Sequence, residues 1–158
     1  ANQLAVSGGV QVGVENDALS VDHLEQITAV EINVLKGTNT MPTALPSCSF
    51  FLGIPYTPAR KIINADLPLA LATDFNPGST PSGNMQFVLS LACIKMKMTP
   101  EEAINAVTIN AAYAMGVSAT YGSITIGKNA SFIITKKIAS YAYIPYSFGE
   151  NCVEEIVY

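Results

Sequence analysis

The hydrophobic and polar positions of this 158-residue chain change repeatedly between strand-like and helix-like spacing. The most continuous apolar run is 67–74, in which leucines alternate with small residues, so that both faces of the segment are apolar. This pattern is typical of a parallel strand covered on both sides. Two further strands are predicted at 18–24 and, despite two prolines, at 40–46.

Helix-like segments separate these strands. Weak helical spacing at 8–16 precedes the first strand, and helices are predicted at 25–36 and at 58–65. After the third strand, residues 84–98 place apolar side chains on one helical stripe. The alternation predicts an α/β fold that contains three βα units.

The clearest helix start is Thr99-Pro100-Glu101-Glu102, which combines a Thr N-cap, a proline in the first turn and a capping-box glutamate. One continuous helix is predicted from there to Met115. Beyond residue 122 the spacing becomes strand-like, and we expect a hairpin of strands 123–126 and 130–137, followed by a last strand at 151–158.

Composition excludes several classes of function. The net charge is −4 and the few basic residues are scattered, which argues against binding of nucleic acid or acidic membranes. No apolar run approaches the ~20 residues that span a bilayer, so we expect a cytoplasmic protein. Only 13% of the residues are charged and 49% are hydrophobic, which implies faces buried in an oligomer or in a larger protein. The three unpaired cysteines are expected to be core or interface thiols.

Asp74 is the first candidate for chemistry. It ends the apolar run 67–74 and opens the polar loop that contains Asn76, Gly78 and Ser79. Because loops after parallel strands line the substrate cleft of α/β proteins, an acid here is a candidate metal ligand, base or binding group. A plain turn capped by Asp74 produces the same pattern, and both interpretations stay open.

His23 is the second candidate and the only histidine of the chain. It lies at the polar end of the predicted strand 18–24, where a lone histidine is more often structural than catalytic. The methionines are expected to serve packing rather than metal binding. Other carboxylates are interpreted as caps or surface charges, namely Asp22, Glu25, Glu101, Glu102, Glu154 and Glu155.

Several motifs together resemble the C-terminal part of the imidazolonepropionases, a family of cyclic amidohydrolases. The most specific are Ser20-Val-Asp-His23-Leu-Glu25 and Leu71-Ala-Thr-Asp74-Phe-Asn76-Pro-Gly78-Ser79. The resemblance covers nearly the whole chain. Its other segments are Ala1-Asn2-Gln3, Thr99-Pro-Glu-Glu-Ala103, Val107-Thr-Ile-Asn-Ala111, Gly122-Ser-Ile-Thr-Ile-Gly127-Lys128 and Ile144-Pro-Tyr146 with Phe148-Gly-Glu-Asn151.

The resemblance implies the C-terminal portion of a metal-dependent (β/α)8 TIM barrel. Residues 1–118 would form the last βα units, and residues 119–158 would form strands of a small β-sandwich built from both chain ends. One divalent metal, zinc or iron, is implied as cofactor, and a homodimer as the assembly. The family's histidine ligands, one directly before the segment matching Ala1 and a His-x-His pair upstream, are not among residues 1–158, so we expect this chain alone to be inactive.

The resemblance also assigns roles to individual residues. Asp74 becomes a metal ligand that handles protons, and His23 polarises the scissile carbonyl. Asn76, Gly78 and Ser79 would contact the substrate. Another substrate-binding residue would be Gln3, which stands where many members carry a glutamate.

The implied reaction is hydrolysis of 4-imidazolone-5-propionate to N-formimidoyl-L-glutamate in histidine degradation. Its partner is a small-molecule substrate. Two alternatives stay open. One is another cyclic amidohydrolase, resembling dihydroorotase or hydantoinase. The other is a catalytically silent fragment that acts as an oligomerisation module.

Overall fold

The centre of the fold is a three-stranded parallel sheet in the order β1-β2-β3. A computed structural model describes all residues 1–158. Strand β1 is Ser20–Asp22, β2 is Met41–Ala44 and β3 is Ala70–Leu71. All three predicted strands are confirmed, although each is shorter than its apolar segment. Because the strands are parallel, their carboxyl ends lie along one edge of the sheet.

Eight short helices surround this sheet, and a separate antiparallel pair of strands lies near the C-terminus. The pair is β4 (Phe132–Thr135) with β5 (Val153–Val157). None of the helices reaches the length and apolarity that crossing a bilayer requires. The helices are α1 Gly9–Glu15, α2 Ala29–Leu35, α3 Pro46–Leu52, α4 Ala59–Ile63, α5 Met85–Ile94, α6 Pro100–Val107, α7 Ile109–Ala114 and α8 Tyr143–Tyr146.

Pro42 lies in the central strand, where a proline usually removes a ladder hydrogen bond. The register explains why it is tolerated. Met41 N–H donates to the Leu19 carbonyl on the β1 side, and pairing with β3 begins only at Thr43, opposite Ala70. Alternate residues of a parallel strand bond to opposite neighbours, so the N–H that Pro42 lacks would point towards β3. At this position the pairing with β3 has not yet begun, and no ladder hydrogen bond is lost.

The hydrophobic core lies between the parallel sheet and the helices that pack against it. Its largest fully buried side chains include Leu24, Leu35, Leu69 and Leu71. Met96 and Met98 are buried in the same cluster, which confirms that they serve packing. The core therefore fixes the sheet from which the loops at its carboxyl edge emerge.

Helix α2 begins later than its hydrophobic spacing predicts. A capping box between Thr28 and Glu31 sets its start. The Glu31 carboxylate accepts from Thr28 N–H, and the Thr28 hydroxyl accepts from backbone N–H groups in the first turn of the helix. Residues 25–28 therefore stay outside the helix. This shift places Glu25 in a buried loop directly after β1, rather than on a helix surface.

The predicted continuous helix from Pro100 to Met115 is wrong, since it breaks at Thr108 into α6 and α7. Thr108 has φ −115° and ψ −91°, and its hydroxyl donates to the Ile104 carbonyl at 2.7 Å. Such back-bonding competes with the helical ladder. The break turns α7 towards the sheet, where Asn110 Nδ2 donates to the Leu69 carbonyl at 2.9 Å.

The predicted hairpin around Gly127 is also wrong, because 123–126 forms no strand and β4 pairs with β5 instead. Gly122 explains the difference. It has φ +91°, and a Cβ there would lie 2.6 Å from the Ala112 Cβ, so the chain is held against α7 at this point. The following residues close a turn through Asn129 N–H, which donates to the Thr120 carbonyl at 3.0 Å.

Large apolar side chains remain exposed on the outer surface. Ile124 is 88% exposed, Ile126 fully exposed and Tyr158 96% exposed. Leu4 and Met115 add to this surface. The core formed by residues 1–158 therefore does not bury all of the large apolar side chains of the chain.

The Thr99 cap gives a direct test of the fold. Thr99 accepts from Glu102 N–H, and the Glu102 carboxylate accepts from Thr99 N–H at 2.8 Å. Thr99→Ala should lower the free energy of unfolding by about 1 kcal/mol, measured by urea denaturation. Ser140→Ala, at an exposed site, should change it by less than about 0.5 kcal/mol. Equal stability of Thr99→Ala and the wild type would contradict the capping role.

Candidate active site

Two residues in the left-handed backbone region mark the carboxyl edge of the sheet. His23, directly after β1, has φ +59°, and Asp74, beyond β3, has φ +57°. Left-handed backbone is uncommon for residues other than glycine, with Asp and His among the more tolerant types. The two side chains converge, and His23 Nε2 lies 3.9 Å from Asp74 Oδ2. Both side chains are about one quarter exposed, so solvent and small molecules reach them.

The loop after Asp74 is organised around the side chain of Asn76. Asn76 Nδ2 donates to the Asp74 carbonyl at 2.6 Å and to Ser79 Oγ at 2.8 Å. Asn76 Oδ1 accepts from the backbone N–H groups of Gly78 at 2.9 Å and Ser79 at 2.8 Å. The polar atoms of the Asn76 side chain are thus engaged inside the loop. The predicted turn is therefore present, but Asn76 caps its backbone N–H groups and Asp74 does not.

Ser79 connects this turn to the candidate acid. Its hydroxyl donates to Asp74 Oδ2 at 3.2 Å. An antiparallel bridge between Asn76 and Thr80 closes the loop behind it. Ser79 consequently sets the direction of the Asp74 carboxylate, and Asn76 holds the Ser79 hydroxyl in place.

Cys48 joins His23 and Asp74, which the sequence analysis did not anticipate. It lies in α3, directly after β2, and is fully buried. One donor atom from each of the three side chains lies within 4.8 Å of the other two. Burial raises the pKa of the Cys48 thiol above its ordinary value, with a smaller opposing effect from Ser79. The missed signal is Pro46, which begins a helix at the end of β2.

Gln3 reaches the same place from the first residues of the chain. Asn2 N–H donates to the His23 carbonyl at 2.6 Å, and Gln26 N–H donates to the Asn2 carbonyl at 2.9 Å. This backbone pairing holds the segment against the turn after β1. Gln3 Nε2 then donates to Cys48 Sγ at 3.3 Å.

Glu25 is a buried acid beside His23, so its interpretation as a cap or surface charge is wrong. Its side chain is fully buried, and Glu25 Oε1 lies 3.9 Å from His23 Nδ1. Ser49 Oγ donates to the same oxygen at 3.3 Å. Burial raises the pKa of Glu25, while its own backbone, His23 and Ser49 oppose the shift. Glu102, in contrast, caps α6 as predicted, and Glu101 is an exposed charge in the first turn of the same helix.

The donor set fits a divalent metal ion. Carboxylate oxygen and imidazole nitrogen suit zinc and iron, and a thiolate adds a ligand that zinc also accepts. Asp74 offers a partly exposed carboxylate that Ser79 orients, and His23 Nε2 lies 3.9 Å from that carboxylate. Such an arrangement can bind a metal, exchange protons and orient a small polar ligand.

Comparison with known proteins identifies the family. Residues 15–156 match the amidohydrolase family. The chain belongs to this family. It is 70% identical over 155 residues to the imidazolonepropionase of Christiangramia forsetii, and 69% identical over 156 residues to that of Flavobacterium johnsoniae. These matches cover 98% and 99% of the chain, which spans 38% of the length of each relative.

Solved structures of an adenosine deaminase and of an atrazine chlorohydrolase share the fold. A zinc-bound adenosine deaminase from Xanthomonas campestris superposes with a TM-score of 0.83 at 23% identity, over 93% of this chain and 37% of that one. An atrazine chlorohydrolase from Arthrobacter aurescens gives 0.76 at 16% identity, over 89% of this chain and 35% of that one. The parallel α/β segment is therefore part of an amidohydrolase barrel. Both of these solved structures contain zinc.

The loop closed by Asn76 can be tested by hydrogen exchange. Asn76→Ala removes the acceptor of the Gly78 and Ser79 amides, whose exchange should accelerate roughly fivefold because each lost bond is worth about 1 kcal/mol. Asn76→Asp keeps an oxygen in the same position and should retain most of the protection. Unchanged exchange in Asn76→Ala would show that the turn does not depend on this side chain.

The two buried glutamates should affect stability in opposite directions. Glu25 has a raised pKa in the folded protein, so its ionised form costs stability as the pH rises above 4.5. Glu25→Gln should therefore raise the free energy of unfolding at neutral pH, and the gain should vanish below the ordinary pKa of 4.5. The measurement is urea denaturation over a pH series.

Glu31 supplies the matched comparison. The Thr28 hydroxyl lowers the pKa of Glu31, so its carboxylate contributes stability that is present above 4.5 and is lost as the pH falls through the lowered value. Glu31→Gln should destabilise the protein at neutral pH, with a smaller effect in acid. Effects of the same sign for both variants would contradict the assignment.

Proposed function

We propose that this chain forms part of a metal-dependent hydrolase that opens 4-imidazolone-5-propionate to N-formimidoyl-L-glutamate during histidine degradation. The observation that carries the proposal is the 70% identity, over 98% of the chain, to a protein named imidazolonepropionase. The convergence of polar side chains at the carboxyl edge of the sheet supports it, because barrel enzymes carry their chemistry at that edge.

Asp74 is the proposed metal ligand of this chain, and zinc or iron is the proposed metal. When bound, such a metal lowers the pKa of coordinated water towards ~7 and supplies a nucleophile. The Asp74 carboxylate accepts a proton from the attacking water and returns it to the ring nitrogen as the C–N bond breaks. The Ser79 hydroxyl, 3.2 Å from Asp74 Oδ2, holds the carboxylate in the direction that this transfer needs.

His23 is the proposed electrophilic residue. Its Nε2 points to the same space as the Asp74 carboxylate, 3.9 Å away. A hydrogen carried on Nε2 can be donated to the scissile carbonyl, whose oxygen gains negative charge as water attacks. Asp74 would thereby activate the attacking water, and the adjacent His23 would activate the scissile carbonyl.

The loop and Gln3 are proposed to bind the substrate. Ser79 presents a hydroxyl and Gly78 leaves the loop surface without a side chain, while Asn76 maintains the shape of both. Gln3 brings an amide to the Cys48 side of the site. These groups suit the polar imidazolone ring and its carboxylate.

The proposed domain division places residues 1–118 in the last βα units of the barrel. Residues 119–158 would belong to a small β-sandwich, a proposal supported by the antiparallel β4–β5 pair, which is separate from the parallel sheet. We further propose a homodimer in the cytoplasm, with one small-molecule substrate per site.

A chimera gives the decisive test of this function. This chain replaces the matching 38% of the Christiangramia forsetii imidazolonepropionase, to which it is 70% identical. The chimera should hydrolyse 4-imidazolone-5-propionate and bind about one metal ion per chain. Asp74→Asn should reduce kcat by roughly 10²–10⁴-fold, since it removes the proton-transfer group, and should lower the metal content.

Dihydroorotate and hydantoin serve as control substrates in the same assay and should not be turned over. The 158-residue chain alone should show no activity. Preference for either control substrate, or full activity and metal content in Asp74→Asn, would contradict the proposed reaction or the proposed ligand respectively.

A further inference from the structure

Two buried polar atoms at the candidate site have no hydrogen-bond partner, and they belong to neighbouring side chains. His23 Nδ1 has no partner, and neither does Glu25 Oε2. The other oxygen of the same carboxylate, Glu25 Oε1, lies 3.9 Å from His23 Nδ1. A buried polar group without a partner is rare because it loses its hydration and gains nothing in return. The two orphaned groups are chemically complementary, one a ring nitrogen and the other a carboxylate.

The surroundings hold this acid rigidly under the imidazole. Ser49 of α3 donates to Glu25 Oε1 at 3.3 Å, and Leu24, between the two residues, is fully buried. On the other side, Asn2 N–H donates to the His23 carbonyl and supports its left-handed backbone. A closure of about 1 Å brings Nδ1 and the carboxylate within hydrogen-bond distance.

The imidazole lies between two carboxylates at the same distance, since His23 Nε2 is also 3.9 Å from Asp74 Oδ2. The two acids are not equivalent. The Glu25 side chain is fully buried, whereas the Asp74 side chain is 24% exposed and already accepts from Ser79. An interaction away from water is stronger, so Glu25 is the better acceptor for the ring.

We propose that Glu25 is a positioning residue, whose buried carboxylate accepts a hydrogen bond from His23 Nδ1 and thereby directs His23 Nε2 towards Asp74 and the substrate. The inference rests on the proposed function for the role of Nε2. Fixing the second nitrogen of a functional histidine determines both its ring orientation and the place of its hydrogen. Directed in this way, Nε2 faces the Asp74 carboxylate and the space that the proposed function gives to the scissile carbonyl.

Because His23 is the only histidine, a single imidazole signal reports on this contact. The full 158-residue chain is prepared with nitrogen-15-labelled histidine, and NMR at about pH 8.5, roughly 2 units above the ordinary imidazole pKa, determines which ring nitrogens carry hydrogen. We expect a hydrogen on Nδ1, whether or not Nε2 carries one. A ring with hydrogen on Nε2 alone would overturn the proposal without any variant being needed.

Glu25→Met removes both oxygens and keeps the length and apolar volume of the side chain. In this variant the hydrogen should move to Nε2, because the Asp74 carboxylate is then the remaining acceptor. Asp22→Asn is the matched control. It removes an exposed charge adjacent in sequence to His23 that bonds only Ser20 and not the ring, and it should leave Nδ1 protonated. Loss of the Nδ1 hydrogen in Asp22→Asn, or its retention in Glu25→Met, would contradict the positioning role.

Activity gives a second readout in the chimera. Glu25→Met should lower kcat by about 10–100-fold, the usual effect of losing the partner of a functional histidine, with KM and metal content little changed. A rise in KM alone would contradict the proposal. The two experiments fail separately. An inactive wild-type chimera would overturn the proposed function, while the NMR result on the single histidine would stand.

Discussion

The parallel alignment of β1 and β3 is the constraint on which the rest of the candidate site depends. It brings the residues that follow the two strands to one edge, so that His23 and Asp74 lie 3.9 Å apart although they are distant in sequence. Each uses left-handed backbone to turn out of its strand. Such backbone is costly, by about 1–3 kcal/mol per residue, and persists where the surroundings enforce it. Here the Asn76-centred loop and the Asn2 backbone bond provide that enforcement.

The same edge of the sheet contains polar groups whose burial is energetically unfavourable. Glu25 is buried with one oxygen unpaired, and the Cys48 thiol is buried against Gln3. Burial raises the pKa of both groups, so both disfavour their charged forms in this protein. Stability alone would favour an uncharged side chain at position 25. Polar groups kept at such a cost are typical of functional sites rather than of structural cores.

Features that depend on residues close together in the sequence were predicted correctly. The apolar run before Asp74, the Thr99 capping box and the alternation of strands and helices were sufficient for the parallel sheet and for the placement of the acid at its edge. The break at Thr108 and the pairing of β4 with β5 were not predictable, because they depend on a side-chain bond to Ile104 and on the close approach of Gly122 to α7. Cys48 and Glu25 were missed for the same reason, since only tertiary contacts bring them to His23.

The central claim is that Asp74 binds the metal of an imidazolone-opening enzyme. The chain covers 38% of the length of its relatives, and large apolar residues such as Ile124 and Ile126 stay exposed, so the complete site is best examined in a full-length context. The most direct measurement is an anomalous-diffraction map of the active chimera crystallised with zinc. The account predicts a single strong peak about 2.0–2.2 Å from an Asp74 carboxylate oxygen. A peak that is not bound to Asp74 would contradict it.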